Sequence, residues 1–76
     1  MNKPKNEKLV KFGLHIRSIR ESLNLSQDQV VANGNKLTKG TLSDIENGKR
    51  NLSFTTLLDL ARGLGKEVKE LLDLDL

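Results

Sequence analysis

The sequence predicts an all-α protein, a compact domain of five short helices, and three observations carry that prediction. Apolar residues recur at helical spacing, without sustained period-2 alternation and with few β-branched or aromatic side chains to favour strands. A frame of apolar residue, hydroxyl cap, three residues and apolar residue occurs three times: Leu25-Ser26 with Val30, Leu37-Thr38 with Leu42, and Leu52-Ser53 with Leu57. Such a frame is a helix start closed by a hydrophobic staple. The 76 residues include no cysteine, so neither a disulfide framework nor a thiolate metal site staples the chain. One small core must suffice, because a domain of this size buries only about 60% of the surface its unfolded chain exposes.

The first helix is expected over about residues 6–23. Phe12, Ile16, Ile19 and Leu23 step by four, three and four and share one face, and Pro4 belongs at or before its first turn. Ser26 opens the second helix, and Gln29 three residues on completes a capping box. Thr38 opens the third, which carries Leu42 and Ile45 and stops at Asn47-Gly48. Ser53 opens the fourth, which carries Leu57, Leu60, Ala61 and Leu64 and stops at Gly65, a natural residue just past a helix end. Each cap contributes about 1 kcal/mol. A last turn or two from about residue 67 carries Val68, Leu71 and Leu72, with Glu67 as a weak cap. The organisation is then a flexible basic tail over residues 1–5, a domain over 6–73 and a C-terminal tail over 74–76.

Net charge is +3 but unevenly placed. Residues 1–50 hold ten Lys/Arg against Glu7, Glu21, Asp28, Asp44 and Glu46, a balance of +5; residues 51–76 hold Arg62, Lys66 and Lys69 against five acids, a balance of −2. A basic front and an acidic back suit a polyanion met from one side, although +3 is also ordinary solubilising charge. Lys3, Lys5 and Lys8 read as a solubilising tail or as an arm reaching that polyanion. No apolar run approaches the roughly 18 residues that span a membrane, and the N-terminus lacks a signal-peptide core, so a soluble, cytoplasmic protein is expected.

The second and third helices, joined by "ANGNKL", form a helix-turn-helix pattern over about residues 26–47. Three motifs occur together: Ser26-Gln27 at the start of helix two; Leu42-Ser43-x-Ile45-Glu46-Asn47-Gly48-Lys49-Arg50 closing helix three; and Leu57-x-x-Leu60-Ala61-x-x-Leu64-Gly65 in helix four. In combination they resemble the phage repressor and Cro-type (XRE-like) helix-turn-helix family, over roughly residues 12–72. That resemblance implies a lambda-repressor-like fold, double-stranded DNA as the partner, and a third helix that reads base edges in the major groove.

It also implies roles for particular residues. Base reading falls to Lys39, Gly40, Ser43 and Asp44, with Thr38 and Thr41 at the margin. Lys39 is suited to guanine O6/N7 and Asp44 to cytosine N4, while Gly40 makes the face thin. Phosphate contacts fall to Gln27 and Asn47 by the family pattern, and to Lys49, Arg50, Asn51 and Arg17 by charge and place. Arg20 and Glu46 match the ion pair that ties helix one to helix three. The chain departs from the pattern at Val31, where the family sets a small residue, and at Leu52, where a proline is common. One extra residue also lengthens the turn between the two helices, where Gly34 is expected to supply a flexible or left-handed position.

The expected function is sequence-specific regulation of transcription, repression above all, by a homodimer on a palindromic operator. Its dimer contacts would come from the start of helix four, Asn51 to Thr55, or from Leu71, Leu72, Leu74 and Leu76, leucines that read equally as plain core and frayed tail. The alternative is a protein-interaction module of the same fold, an antitoxin or adaptor with weak, non-specific DNA binding. No enzyme is expected: His15 is the lone histidine, with no cysteine or paired carboxylate beside it, and the acids lack metal-ligand spacing. No cofactor and no metal are expected. No small-molecule ligand is either, since 76 residues leave no room for a sensing domain.

Overall fold

Three helices of this protein end in the same way, and their ends position everything else. A computed structural model describes residues 6–76 and forms five helices among them: α1 (Glu7–Ser22), α2 (Gln27–Asn33), α3 (Lys39–Glu46), α4 (Phe54–Leu64) and α5 (Val68–Leu71). Pro4, Lys3 and Lys5 lie outside the described residues.

Each of the first four helices starts on a side-chain cap. Asn6 Oδ1 accepts from the backbone N–H groups of Lys8 and Leu9 at the start of α1. Ser26 and Gln29 form a reciprocal capping box, and Thr38 and Ser53 accept from Thr41 and Thr56. Glu67 makes no side-chain cap, and α5 extends only four residues.

The closures are Schellman motifs, in which a residue in the left-handed region lets its own N–H and that of the next residue fold back on the last turn. Behind α1 that residue is Asn24 (φ 57°), with Asn24 N–H donating to the Glu21 carbonyl and Leu25 N–H to that of Arg20. Behind α3 it is Gly48 (φ 69°), with Gly48 N–H donating to Ile45 and Lys49 N–H to Asp44. Behind α4 it is Gly65 (φ 67°), with the same pattern to Arg62 and Ala61. Gly48 is doubly constrained, because a Cβ there would lie 2.8 Å from the Cα of Val10.

The core consists of Phe12, Ile16, Val30, Leu37, Leu42, Ile45, Leu60, Ala61, Leu64 and Leu71. Ile19 and Leu23, expected on the same face of α1, are half-buried against its edge, as are Leu25, Val31 and Leu57. Val31 therefore fits between the packed helices as part of the apolar margin. Packing joins α1 to α3, α2 to both α3 and α4, and α4 to α5. His15 adds a tie between α1 and α5: its Nε2 donates to the Glu70 carbonyl at 3.1 Å. Of the two readings open for the C-terminal leucines, Leu71 takes the core one: it is wholly buried and makes no dimer contact. Leu74, placed in a C-terminal tail, packs against the core.

The α1–α3 contact is close because α1 has a glycine at the crossing. A Cβ on Gly13 would collide with the carbonyl oxygen of Ile45 and sit 2.7 Å from that of Glu46. These are backbone atoms, which cannot rotate away as a side chain would. Gly13→Ala is therefore expected to destabilise the fold by about 2 kcal/mol, read from urea unfolding. An unchanged midpoint would mean that the α1–α3 crossing opens freely.

Candidate nucleic-acid interface

The inner face of α3 is fixed at three places. Leu42 and Ile45 are buried beneath it, and Glu46, at its last turn, is the one buried charged residue among those described. A carboxylate stripped of water needs an opposite charge and full hydrogen bonding. Both are present. Arg20 Nε donates to Glu46 Oε2 at 2.7 Å and Nη2 to Oε1 at 3.0 Å, a bidentate pair whose side chains are 13% and 4% exposed. Gln27 Nε2 donates to Oε1 at 3.2 Å, and Arg20 Nη1 donates to the Leu25 carbonyl at 2.9 Å. The hydrogen bond to Glu46 holds the Arg20 guanidinium above its ordinary range, against the opposing effect of burial. No buried side-chain nitrogen or oxygen among the described residues lacks a partner.

The turn between α2 and α3 is held from α4. Asp59 Oδ1 accepts from the N–H of Asn35 at 2.7 Å, and Oδ2 from those of Lys36 at 2.8 Å and Leu37 at 2.5 Å. Partial desolvation pushes the Asp59 carboxyl up, but the three N–H groups and then Arg62 outweigh it, and the group sits below the usual carboxylate range. Gly34 is corrected by this turn. Its backbone is extended (φ −80°, ψ −168°), and a Cβ there would meet only ordinary contacts. The longer turn is accommodated by a side chain 22 to 24 residues away rather than by left-handed backbone. Sequence reasoning missed Asp59 because it lies within a helix as one charged residue among many.

The outward side of α3 is open. Lys39 and Gly40 are exposed, Thr41, Ser43 and Asp44 are half-exposed, and a Cβ on Gly40 would meet nothing within 4 Å. Lys39 Nζ stands 3.3 Å from Asp28 on α2, and Arg50 Nε 3.8 Å from Asp44. Thr38 is committed as the α3 cap and also donates to the Thr41 hydroxyl. Asn47 Nδ2 donates to the Ser43 carbonyl at 2.9 Å, so this side chain folds back along its own helix. Arg17 is paired with Glu21 at 3.5 Å. Lys49 is exposed, placed by the Schellman closure of α3.

Arg50 and Asn51 are neighbours that face different hollows. Arg50 lines an open polar cleft of about 430 Å³ with Lys36, Thr41, Asp59 and Arg62. Asn51 lines an apolar groove of about 380 Å³ with Leu9, Leu52, Phe54, Leu72 and Leu76. That groove unites the start of α4 with the C-terminal leucines, the two stretches proposed separately as dimer contacts.

The helix-turn-helix family model matches residues 16–71, most of the chain and all of the α2–α3 unit. The protein belongs to the helix-turn-helix family. Its all-α architecture is that of known members: it is similar to the control protein C.MunI of Mycoplasma sp., 37% identical over 67 residues that cover 87% of this chain and 89% of that one. The crystal structure of the restriction-modification controller protein C.AhdI from Aeromonas hydrophila superposes with a TM-score of 0.80 at 35% identity, covering 87% of this chain and 98% of that one. The controller protein C.Esp1396I, seen as a tetramer in complex with its natural 35 base-pair operator, gives a TM-score of 0.75 at 25% identity, with 91% and 100% covered.

The buried ion pair leads to a test. Removing one partner of such a pair leaves the other charge desolvated and costs about 3–5 kcal/mol. Glu46→Ala is expected to lower the melting temperature sharply, read by circular dichroism. An unchanged transition would mean that Arg20 finds solvent without unfolding the α1–α3 contact.

Proposed function

We propose that this protein is a sequence-specific double-stranded DNA-binding regulator of transcription, of the restriction-modification controller type, acting in the cytoplasm as a homodimer on a palindromic operator. The observation that carries the reading is α3 itself: sealed to the core on one side, open on the other, and followed, after Asn47 and Gly48, by Lys49 and Arg50. Residues 36–50 hold four Lys/Arg against Asp44 and Glu46, and Glu46 is already neutralised by Arg20. The open side thus offers net positive charge to a phosphate backbone. The family to which the chain belongs is one of DNA-binding regulators rather than enzymes.

The ion pairs on that side are weak enough to exchange for DNA. Lys39 and Asp28 have side chains 62% and 74% exposed, and pairs of that kind are worth about 0–1 kcal/mol. A lysine on guanine O6/N7 is worth about 1–3 kcal/mol of discrimination, so Lys39 leaves Asp28 for a base edge. Arg50, at 3.8 Å from Asp44, is released as easily. Ser43, Asp44 and Gly40 complete the reading face, with Thr38 contributing only the cap that starts it.

Gln27 and Asn47 reach phosphate in a more constrained way. A side-chain amide has two N–H donors. For Gln27 one is held by Glu46, and the second remains to meet a phosphate oxygen with its direction already set. For Asn47 one is held by the Ser43 carbonyl at 2.9 Å, and the other has only a long 3.4 Å contact with the Ser43 hydroxyl to give up for phosphate. Lys49 and Asn51 flank Asn47, and Arg17 exchanges Glu21 for phosphate on the α1 side.

One recognition helix reads too few base pairs for specificity, and a two-fold dimer doubles the site. The apolar groove suits a second copy of this chain. Phe54, Leu72 and Leu76 are 68%, 50% and 55% exposed and lie together with Leu9 and Leu52. The operator-bound tetramer of C.Esp1396I supports assembly on DNA as the mode of action.

Two outcomes test this. In-vitro selection from random duplexes at two salt concentrations is expected to enrich a palindrome with half-sites about 10 base pairs apart. Lys49→Ala or Arg50→Ala should then reduce the salt slope by about one. Weak, salt-sensitive binding with no enrichment would instead point to a protein-interaction module. Phe54→Glu is expected to leave a monomer in analytical ultracentrifugation and to abolish binding to the full palindrome. A variant that stays dimeric would place the interface elsewhere.

A further inference from the structure

We infer that Asp59 on α4 is a positioning residue for DNA recognition, setting the place of the reading helix through the turn that precedes it. This rests on the proposal that α3 reads base edges. The geometry that carries it is the convergence of three consecutive turn N–H groups, from Asn35, Lys36 and Leu37, on one carboxylate at 2.7, 2.8 and 2.5 Å. Thr38, the next residue, is the cap of α3, and Lys39 and Gly40 are its first two residues.

α4 gives the carboxylate a fixed reference frame. Leu60, Ala61 and Leu64 of that helix are all buried, so Asp59 cannot shift along the core. The far end of α3 is separately held by Glu46 and Arg20. A helix held at both ends has its tilt defined. The Glu46 end anchors where α3 leaves the site, and the Asp59 end sets where Lys39 and Gly40 enter it. Within the turn, Gly34 adopts an extended backbone and the Asn35 and Lys36 side chains are exposed; only Leu37, buried in the core, shares the task, and the carboxylate fixes the backbone that leads into it.

Electrostatics and positioning make opposite forecasts for Asp59. A negative charge in a cleft lined by Lys36, Arg50 and Arg62 opposes a polyanion, so its removal should by charge alone tighten all DNA binding. If the carboxylate instead holds the turn, its loss should weaken binding to the operator while random DNA is bound as well or slightly better. The two accounts differ in sign, so the experiment separates them.

The test compares wild type, Asp59→Asn and Asp59→Glu by fluorescence anisotropy on the selected operator and on a scrambled duplex. Binding is measured well below each melting temperature, with amide hydrogen exchange followed in parallel. Asp59→Asn keeps the shape but loses the charge and one acceptor oxygen. Asp59→Glu keeps the charge on a longer stem, and it carries the comparison if the asparagine variant unfolds. For both, exchange at Asn35, Lys36 and Leu37 should rise by about tenfold or more. The ratio of operator to scrambled affinity should fall by about tenfold, with scrambled affinity undiminished. Tighter binding of both duplexes by Asp59→Asn, with the ratio unchanged, would show that charge alone matters and overturn the inference. So would a loss of amide protection with an unchanged ratio. A wild type that prefers no sequence at all would instead refute the DNA-reading proposal, a result distinct from either.

Discussion

The buried carboxylate of Glu46 is the constraint around which the domain is arranged. A desolvated charge is tolerable only when it is paired and hydrogen-bonded, and here the three donors come from two other helices. Arg20 approaches from α1 and Gln27 from the first turn of α2, while Glu46 itself is the last residue of α3. Arg20 also reaches the Leu25 carbonyl in the turn between α1 and α2. Three helices and one turn therefore share a junction that admits one arrangement. The pair need not add net stability over an apolar substitute. What it provides is geometry, because any sliding of α1 against α3 strands a charge away from water.

The rest of the architecture is economical in a way that suits a small core. Ten apolar side chains are buried among the described residues, and a domain of this kind has on the order of 5–15 kcal/mol of stability to distribute. Caps at about 1 kcal/mol each are then a substantial share. The chain places a side-chain cap at the start of each of its first four helices and a left-handed closure behind α1, α3 and α4. Helix ends that frayed would blur the turns from which Lys49, Arg50 and the Asp59 clamp take their positions.

Much of this was legible locally. Ser26, Thr38 and Ser53 act within four residues of themselves, so their frames show in the sequence and reappear as caps. Gly65 and the Asn47-Gly48 stop are legible for the same reason. Interactions between distant residues were legible only where a family pattern supplied the partner, as with Arg20 and Glu46. Asp59 had no such pattern, and its role depends on a turn more than twenty residues earlier. Gly34 was misread on this account: glycine in a turn suggests left-handed backbone, but a carboxylate had already satisfied the turn in an extended form. Leu71 was left between core and dimer contact because a leucine near a chain end looks the same in sequence whether it packs inward or outward. The inward bonds of Gln27 and Asn47 were not legible in the sequence and required three dimensions.

Gly40 has a consequence beyond the present reading face. It sits on the open side of α3, where a Cβ would touch nothing, and helical glycine costs about 1 kcal/mol relative to alanine. Most substitutions there meet no steric barrier and gain helix propensity at the same time. Changes that alter recognition usually draw on stability, but at this position the two move together. Under the proposed function, a lineage carrying this scaffold can acquire a new contact at residue 40, and with it a new operator, without first passing through a less stable protein.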